Sequence, residues 1–216
     1  MDPFRLCLAL GPAAVYVLLL GAINLSRRPF LVTGTRDAAA LGLAIAGFVI
    51  VGPMELFFPN AAAARFGPFV WVLLIALYGL CLVGSLLMLR PRLIVYNISL
   101  DQLRPVLAEV VAQFDEEARW AGDSLFLPGL GVQLHLDHVP GLRNVSLKSV
   151  GTAQDYVHWK RLEVALAHAL GQVEVRRNPR AISLLTAGVL CIALLVLAIA
   201  RDPEAVAGAL FEMLRL

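Results

Sequence analysis

Residues 91–102, Pro-Arg-Leu-Ile-Val-Tyr-Asn-Ile-Ser-Leu-Asp-Gln, change the character of the chain. An apolar run, Phe69 to Leu89, ends just before them at Arg90-Pro91, and a proline disfavours helical backbone in the residue that precedes it. Leu93-Ile94-Val95-Tyr96 then predicts a strand, being short and β-branched. Ser99-Leu100-Asp101-Gln102 carries the spacing of a capping box, so a helix opens at once. Leu103, Leu107, Val110 and Phe114 follow at the spacing of one buried helical face, and Asp115, Glu116 and Glu117 close the segment.

Downstream the period changes from helical to alternating. Ala118 to Trp120 and Ser124 to Leu127 flank Gly122-Asp123 and predict a hairpin, and Pro128-Gly129-Leu130-Gly131 predicts the next turn. Val132, Leu134 and Leu136 alternate with Gln133, His135 and Asp137, a strand with one buried and one wet face. After a turn at Val139-Pro140-Gly141, Val145 and Leu147 alternate with Asn144, Ser146 and Lys148 in the same way. A closing helix is expected from Ala153 to about Leu170, capped by Thr152, with Trp159, Leu162, Leu166 and Leu170 as its apolar stripe and Gly171 as its stop. The reading for 91–177 is an α+β domain: an antiparallel sheet plus two helices on one face, in the order β-α-β-β-β-β-α.

On both sides of this block the chain is apolar. Leu6 to Leu25, Ala38 to Phe58, Phe69 to Leu89 and Ala181 to Ala200 are runs of 20 to 21 residues whose single charge is Glu55. At a helical rise of about 1.5 Å such runs match a hydrocarbon core of about 30 Å. The hydrophobic fraction of 59% and charged fraction of 16% exclude an ordinary soluble domain. The expectation is therefore a membrane α-helical protein with four transmembrane helices. Three lie in residues 1–90 (about 4–25, 38–58 and 69–89) and the fourth, at about 181–200, lies within 178–216. The α+β domain is inserted between the third and the fourth. Asp202-Pro203-Glu204 predicts one more helix, about 203–215, with Leu210, Phe211 and Leu214 as its apolar face.

Charge distribution orients this scheme. Arg27, Arg28 and Arg36 lie in the 26–37 link, and Arg90, Arg92, Arg176, Arg177 and Arg180 flank the inserted domain. Basic residues near span ends stay on the cytoplasmic side, which places the 91–177 domain in the cytoplasm and both termini outside. The bias to Ala, Leu, Gly and Arg, with only two lysines, points to a bacterial inner membrane. The first run is expected to be retained rather than cleaved, since no small-residue cleavage site follows it. The link itself reads as a short basic connection with Thr35 as the cap of the second span. Within that span Ala40/Ala44 and Gly42/Ala46 are small-xxx-small pairs that permit close helix approach. Trp71 reads as an interfacial aromatic of the third span.

Residues that could carry chemistry are few. Glu55 is costly in a span unless paired, and Arg5 and Arg65 are its expected ion-pair partners. His135-Leu136-Asp137-His138 raises a metal or catalytic reading, but a zinc site needs three protein ligands at the least. Tyr156 and Lys160 share a helix face, yet no Gly-rich nucleotide-binding turn precedes them. Cys7, Cys81 and Cys191 lie in apolar runs without CxxC spacing. Asn97-Ile98-Ser99 and Asn144-Val145-Ser146 are formal glycosylation sequons. The expectation is no cofactor, no metal, no catalytic set and no nucleic-acid partner, the net charge being only +2. Gln133, His135, Asp137, Asn144, Ser146 and Lys148 form the expected partner-binding face of the sheet. The leading function is an accessory or scaffold subunit of a membrane complex, contacting membrane lipid and docking protein partners or further copies of itself. A small oligomeric transporter component using Glu55 is the alternative, and a membrane-bound enzyme using His135 and Asp137 the third reading.

Overall fold

The computed structural model describes residues 2–138, 143–151 and 155–214, the Leu214 side chain excepted. The expected turn at Val139-Pro140-Gly141, the Thr152 cap and the contribution of Leu214 to an apolar face therefore lie outside the described residues. The chain divides into two units. One comprises Met1–Gly21, Ala38–Met88 and Ser183–Leu216, the other Ala22–Asp37 and Leu89–Ile182.

The first unit is helical. Helices α1 (Pro3–Leu25), α2 (Gly34–Val49, prolonged by a π-helical turn at Ile50–Met54), α4 (Phe69–Leu87) and α7 (Arg180–Arg201) are each long and apolar enough to cross a membrane. A short helix, α3 (Asn60–Phe66), occupies what reads from sequence as a plain loop. The final helix, α8 (Pro203–Leu214), begins as expected, with the Asp202 carboxylate accepting from the Ala205 amide at 2.9 Å. Glycines set the closest helix approaches. A Cβ on Gly47 would stand 1.9 Å from the Leu8 carbonyl oxygen, and one on Gly42 would stand 2.5 Å from a methyl of Leu82. Gly21 and Gly188 similarly meet Leu185 and Leu18 and bring α1 and α7 together. Trp71, read as an interfacial aromatic, is 6% exposed, lies with its ring centroid 4.9 Å from that of Phe58 at a tilt of 36°, and donates its indole N–H to the Met213 carbonyl at 2.7 Å.

The second unit is built on a six-stranded antiparallel sheet in the order β1-β2-β6-β5-β4-β3. From β2 onward the elements follow the expected sequence: β2 (Arg92–Tyr96), α5 (Leu100–Ala112), β3 (Arg119–Ala121), β4 (Ser124–Leu127), β5 (Val132–His138), β6 (Asn144–Ser149) and α6 (Tyr156–Gly171). Turn chemistry follows the sequence, with Gly122 at φ +61° and Gly131 at φ +60°. In β5 and β6 the apolar alternates turn inward, Val132, Leu134, Leu136, Val145 and Leu147 being at most 1% exposed. Against them pack Leu103, Leu107 and Val110 of α5 and Trp159, Leu162, Leu166 and Leu170 of α6, all in one core.

Four local expectations are corrected. The 26–37 link is not a bare connection, because Phe30–Thr33 forms β1 and pairs with β2 in the register Phe30↔Tyr96 to Thr33↔Leu93. Short and bounded by Pro29 and Gly34, this run gains its strand character only from a partner some 60 residues away. The first turn of α2 is capped by Thr33, whose Oγ1 accepts from the Arg36 amide at 3.4 Å, rather than by Thr35. Phe114 falls beyond the end of α5 and is 39% exposed, and Val111 takes the inward position instead. Finally, α6 starts at Tyr156 with Asp155 as its cap, accepting from the Val157 amide at 2.8 Å.

Candidate functional site

Two side chains, Asn97 and Asp115, tie segments of the second unit together. Asn97 takes a left-handed conformation, φ 61°, between β2 and α5 and is fully buried. Its Nδ2 donates to the Ser26 carbonyl at 2.8 Å, which ties the link to the domain. Asp115, read from sequence as part of an acidic helix end, is 7% exposed. It accepts from the Gly129 amide at 2.7 Å and the Glu117 amide at 3.0 Å, so it pins two turns together. Only the frequency of Asn at positive φ hints at the first of these in sequence.

The outer face of the sheet holds the residues expected to bind a partner, and two of them, Asp137 and Lys148, pair with each other. Register sets His135 opposite Lys148 and Asp137 opposite Ser146. The Lys148 ammonium reaches diagonally to Asp137 at 2.5 Å, and Ser124 Oγ lies 3.0 Å from His135 Nδ1. That ammonium holds the Asp137 carboxyl below its usual range, helped by the charges of His135 and His138. Gln133, Asn144 and Ser146 are half-buried, and the Ser146 hydroxyl is sealed from solvent. No group of three or more His, Cys, Asp or Glu side chains converges among the described residues. His158, on α6, has its Nδ1 3.0 Å from the Leu130 carbonyl and 3.0 Å from Asp155.

In the helical unit Glu55 follows the π-helical turn, and Arg5 Nη2 lies 2.5 Å from its Oε1. The same guanidinium is 3.5 Å from Asp2 and 4.0 Å from Glu212. Arg65 lies in the last turn of α3, and the described ion pair of Glu55 runs to Arg5 instead. Of the basic residues at the expected span ends, Arg92 is 3.8 Å from Asp37, whose other oxygen accepts from the Tyr96 hydroxyl at 2.6 Å. The Arg27 and Arg176 backbones also serve the second unit: Arg27 accepts from the Val175 amide at 2.8 Å, and Arg176 accepts from the Arg143 guanidinium.

A further concavity of the second unit lies elsewhere, in the groove between α5 and α6. It has a volume of about 1040 Å³. Its floor is Val106, Val110, Ala165 and Ala169, with Phe114, Tyr156, Val157 and Val164 around it. Tyr156 is 74%, Val157 59% and Val164 61% exposed. Glu109, Lys160 and Arg161 also line the groove, and Lys160 is ion-paired with Glu163 at 2.9 Å. The sequence signal for this groove is the second stripe of α6, Val157-Arg161-Val164-His168, which the buried stripe overshadows. Comparisons with protein-family models, with curated proteins and with solved structures give no match for this chain.

Proposed function

We propose that the chain is a non-catalytic accessory subunit of the bacterial inner membrane, whose α+β unit lies in the cytoplasm and docks a partner protein. Four apolar helices support the membrane setting, and the arginines at 27, 28, 36, 90, 92, 176, 177 and 180 support the orientation. The observation that carries docking is the α5–α6 groove, where a valine pair and an aromatic remain exposed over an apolar floor. On the sheet face Asp137 and Lys148 neutralise each other, and the contact proposed here is on the helices, where Tyr156, Val157 and Val164 are exposed. A groove between two helices accepts an amphipathic helix by its i, i+3, i+4 and i+7 side chains. The occupant is therefore an amphipathic helix of a partner subunit, its apolar side chains on the exposed Val157, Val164 and Tyr156.

A photo-crosslinking residue placed at Val164 of the full chain in native membranes tests this, with the same residue at Gln133 as the control. The expected result is a protein crosslink from Val164 alone, mapping to an amphipathic helix of another protein and lost in the Val157→Glu background. Crosslinks only to lipid, only to a second copy, or equally from Gln133 would overturn the proposal.

A further inference from the structure

The charges of the α+β unit are unevenly placed. Residues 22–37, 89–98 and 173–182, the segments that connect it to the helical unit, carry eight arginines and two acidic residues, Asp37 and Glu174. Residues 99–172, the body of the unit, carry six basic and nine acidic residues. All eight arginines lie within five residues of an end of α1, α2, α4 or α7, the helices long and apolar enough to cross a membrane. Arg27, Arg28, Arg36, Arg90, Arg176 and Arg177 are exposed, and none joins an ion pair among the described residues.

Four of these arginines are held on one hydrogen-bonded frame. The Arg27 carbonyl accepts from the Val175 amide at 2.8 Å, and the Asn24 carbonyl accepts from the Asn178 amide at 3.4 Å, so two segments distant in sequence run side by side. Arg176 and Arg177 lie between Val175, which is part of the core, and the buried Asn178. Arg27 and Arg28 lie between Ser26, whose carbonyl the buried Asn97 holds at 2.8 Å, and Phe30, which pairs with Tyr96. The Ser26 hydroxyl also donates to the Arg28 carbonyl at 2.6 Å, and the Arg143 guanidinium donates to that of Arg176. Both arginine pairs are thus fixed at each end. Charge at span ends needs no such frame to orient a chain. Like charges gathered within a Debye length, about 8 Å at physiological salt, repel one another until an anion lies among them.

We infer that the patch formed by Arg27, Arg28, Arg176 and Arg177 binds the headgroups of anionic phospholipids. Guanidinium groups match phosphate oxygens in pairs, and basic residues next to span ends lie where headgroup phosphates are. Phe30, exposed two residues beyond Arg28, adds an apolar contact that suits a lipid surface better than a nucleic acid. The inference rests on the membrane setting proposed for the four helices. It depends neither on the α5–α6 groove nor on the side of the membrane that the α+β unit occupies.

Native mass spectrometry of the full chain in detergent micelles tests it, with didecanoyl phosphatidylglycerol and didecanoyl phosphatidylcholine titrated separately. Wild type should hold the glycerol lipid more tightly than the choline lipid. Arg28→Gln and Arg177→Gln should each weaken the glycerol lipid about fivefold, the contribution of one basic residue at an anionic surface. Arg28→Lys and Arg177→Lys, which keep the charge, should retain most of the binding. Arg119→Gln, at an exposed arginine of β3, changes the charge equally and should leave binding as it is. Melting curves identify the variants that remain folded. A micelle has no sides, so a failed crosslink at Val164 or an inverted orientation leaves the expected result unaltered. Equal affinity of wild type for the two lipids would overturn the inference, as would unchanged binding by the folded double variant Arg28→Gln/Arg177→Gln or an equal loss in Arg119→Gln. Equal affinity together with an acidic protein that leaves the double variant would assign the patch to a protein instead.

Discussion

Asn97 shows how one side chain can serve backbone and tertiary structure together. A left-handed residue without glycine's freedom costs about 1–2 kcal/mol, least for Asn, and here the same side chain holds the Ser26 carbonyl. Replacing it with Ala loses the hydrogen bond and keeps the strained φ, so a loss of about 2–3 kcal/mol is expected. Asn97→Gly relieves the backbone and should recover part of that loss, which thermal melting of the two variants will show. Charged residues add a pH dependence whose sign is determined. The Lys148 ammonium lowers the Asp137 carboxyl, and the Val157 amide lowers the Asp155 carboxyl. A carboxyl lowered in the folded state contributes stability that is complete above its unfolded value, about 4, and is lost as pH falls through the folded one. The melting temperature should therefore decline below about pH 4, and Lys148→Met should flatten that decline. An acid limb identical to wild type would show that the Asp137–Lys148 pair does not contribute.

Among the elements, the helices of the first unit are packed by backbone proximity more than by interlocking side chains. Small residues do this in apolar surroundings, where burial supplies little drive for association. Gly47 is the sharpest case, since its Cβ would meet the Leu8 carbonyl, which is rigid backbone. Gly47→Ala should cost about 1–3 kcal/mol by separating α1 from α2. At Gly42 the obstacle is the flexible end of Leu82, so Gly42→Ala should cost less. Gly11, with nothing within 4 Å, provides the control, and Gly11→Ala should be neutral or slightly stabilising. Melting in one detergent ranks the three, and an equal response at Gly47 and Gly11 would remove the close-approach explanation. In the second unit the capping box at Ser99 opens α5 where the sequence places it, with the Ser99 amide donating to Gln102 Oε1 at 3.3 Å. That motif was legible because all its partners lie within four residues.

For the molecule as a whole, the α+β unit is discontinuous in sequence. Residues 91–177 alone would leave the edge of β2 unpaired and the Asn97 amide without Ser26. An excised 91–177 fragment should then be less stable and should self-associate through the bare β2 edge. Fusing residues 22–37 back onto it should restore a monomer with a higher melting temperature. Light scattering and melting of the two fragments provide the check. If the short fragment is monomeric and equally stable, β1 is an accessory strand and not part of the folding unit.

What the sequence determined by itself was chiefly what is periodic. The four apolar helices follow from run length, the order β-α-β-β-β-β-α from alternation and turn residues, and the inward faces of β5, β6 and α6 from period. Each element is read from its own contiguous segment, so no distant partner had to be known. Tertiary structure decided the rest. Phe30–Thr33 is too short to declare itself a strand until β2 supplies the hydrogen bonds, and Asp115 reads as one more surface acid until Gly129 meets it. Gln133, His135, Asp137, Asn144, Ser146 and Lys148, expected as a partner face, alternate on one side of the sheet, and register lets Lys148 reach Asp137. Conversely the α5–α6 groove has no contiguous signature. Its walls come from Val106 to Phe114 and from Tyr156 to Val173, and only the fold brings those apolar edges together.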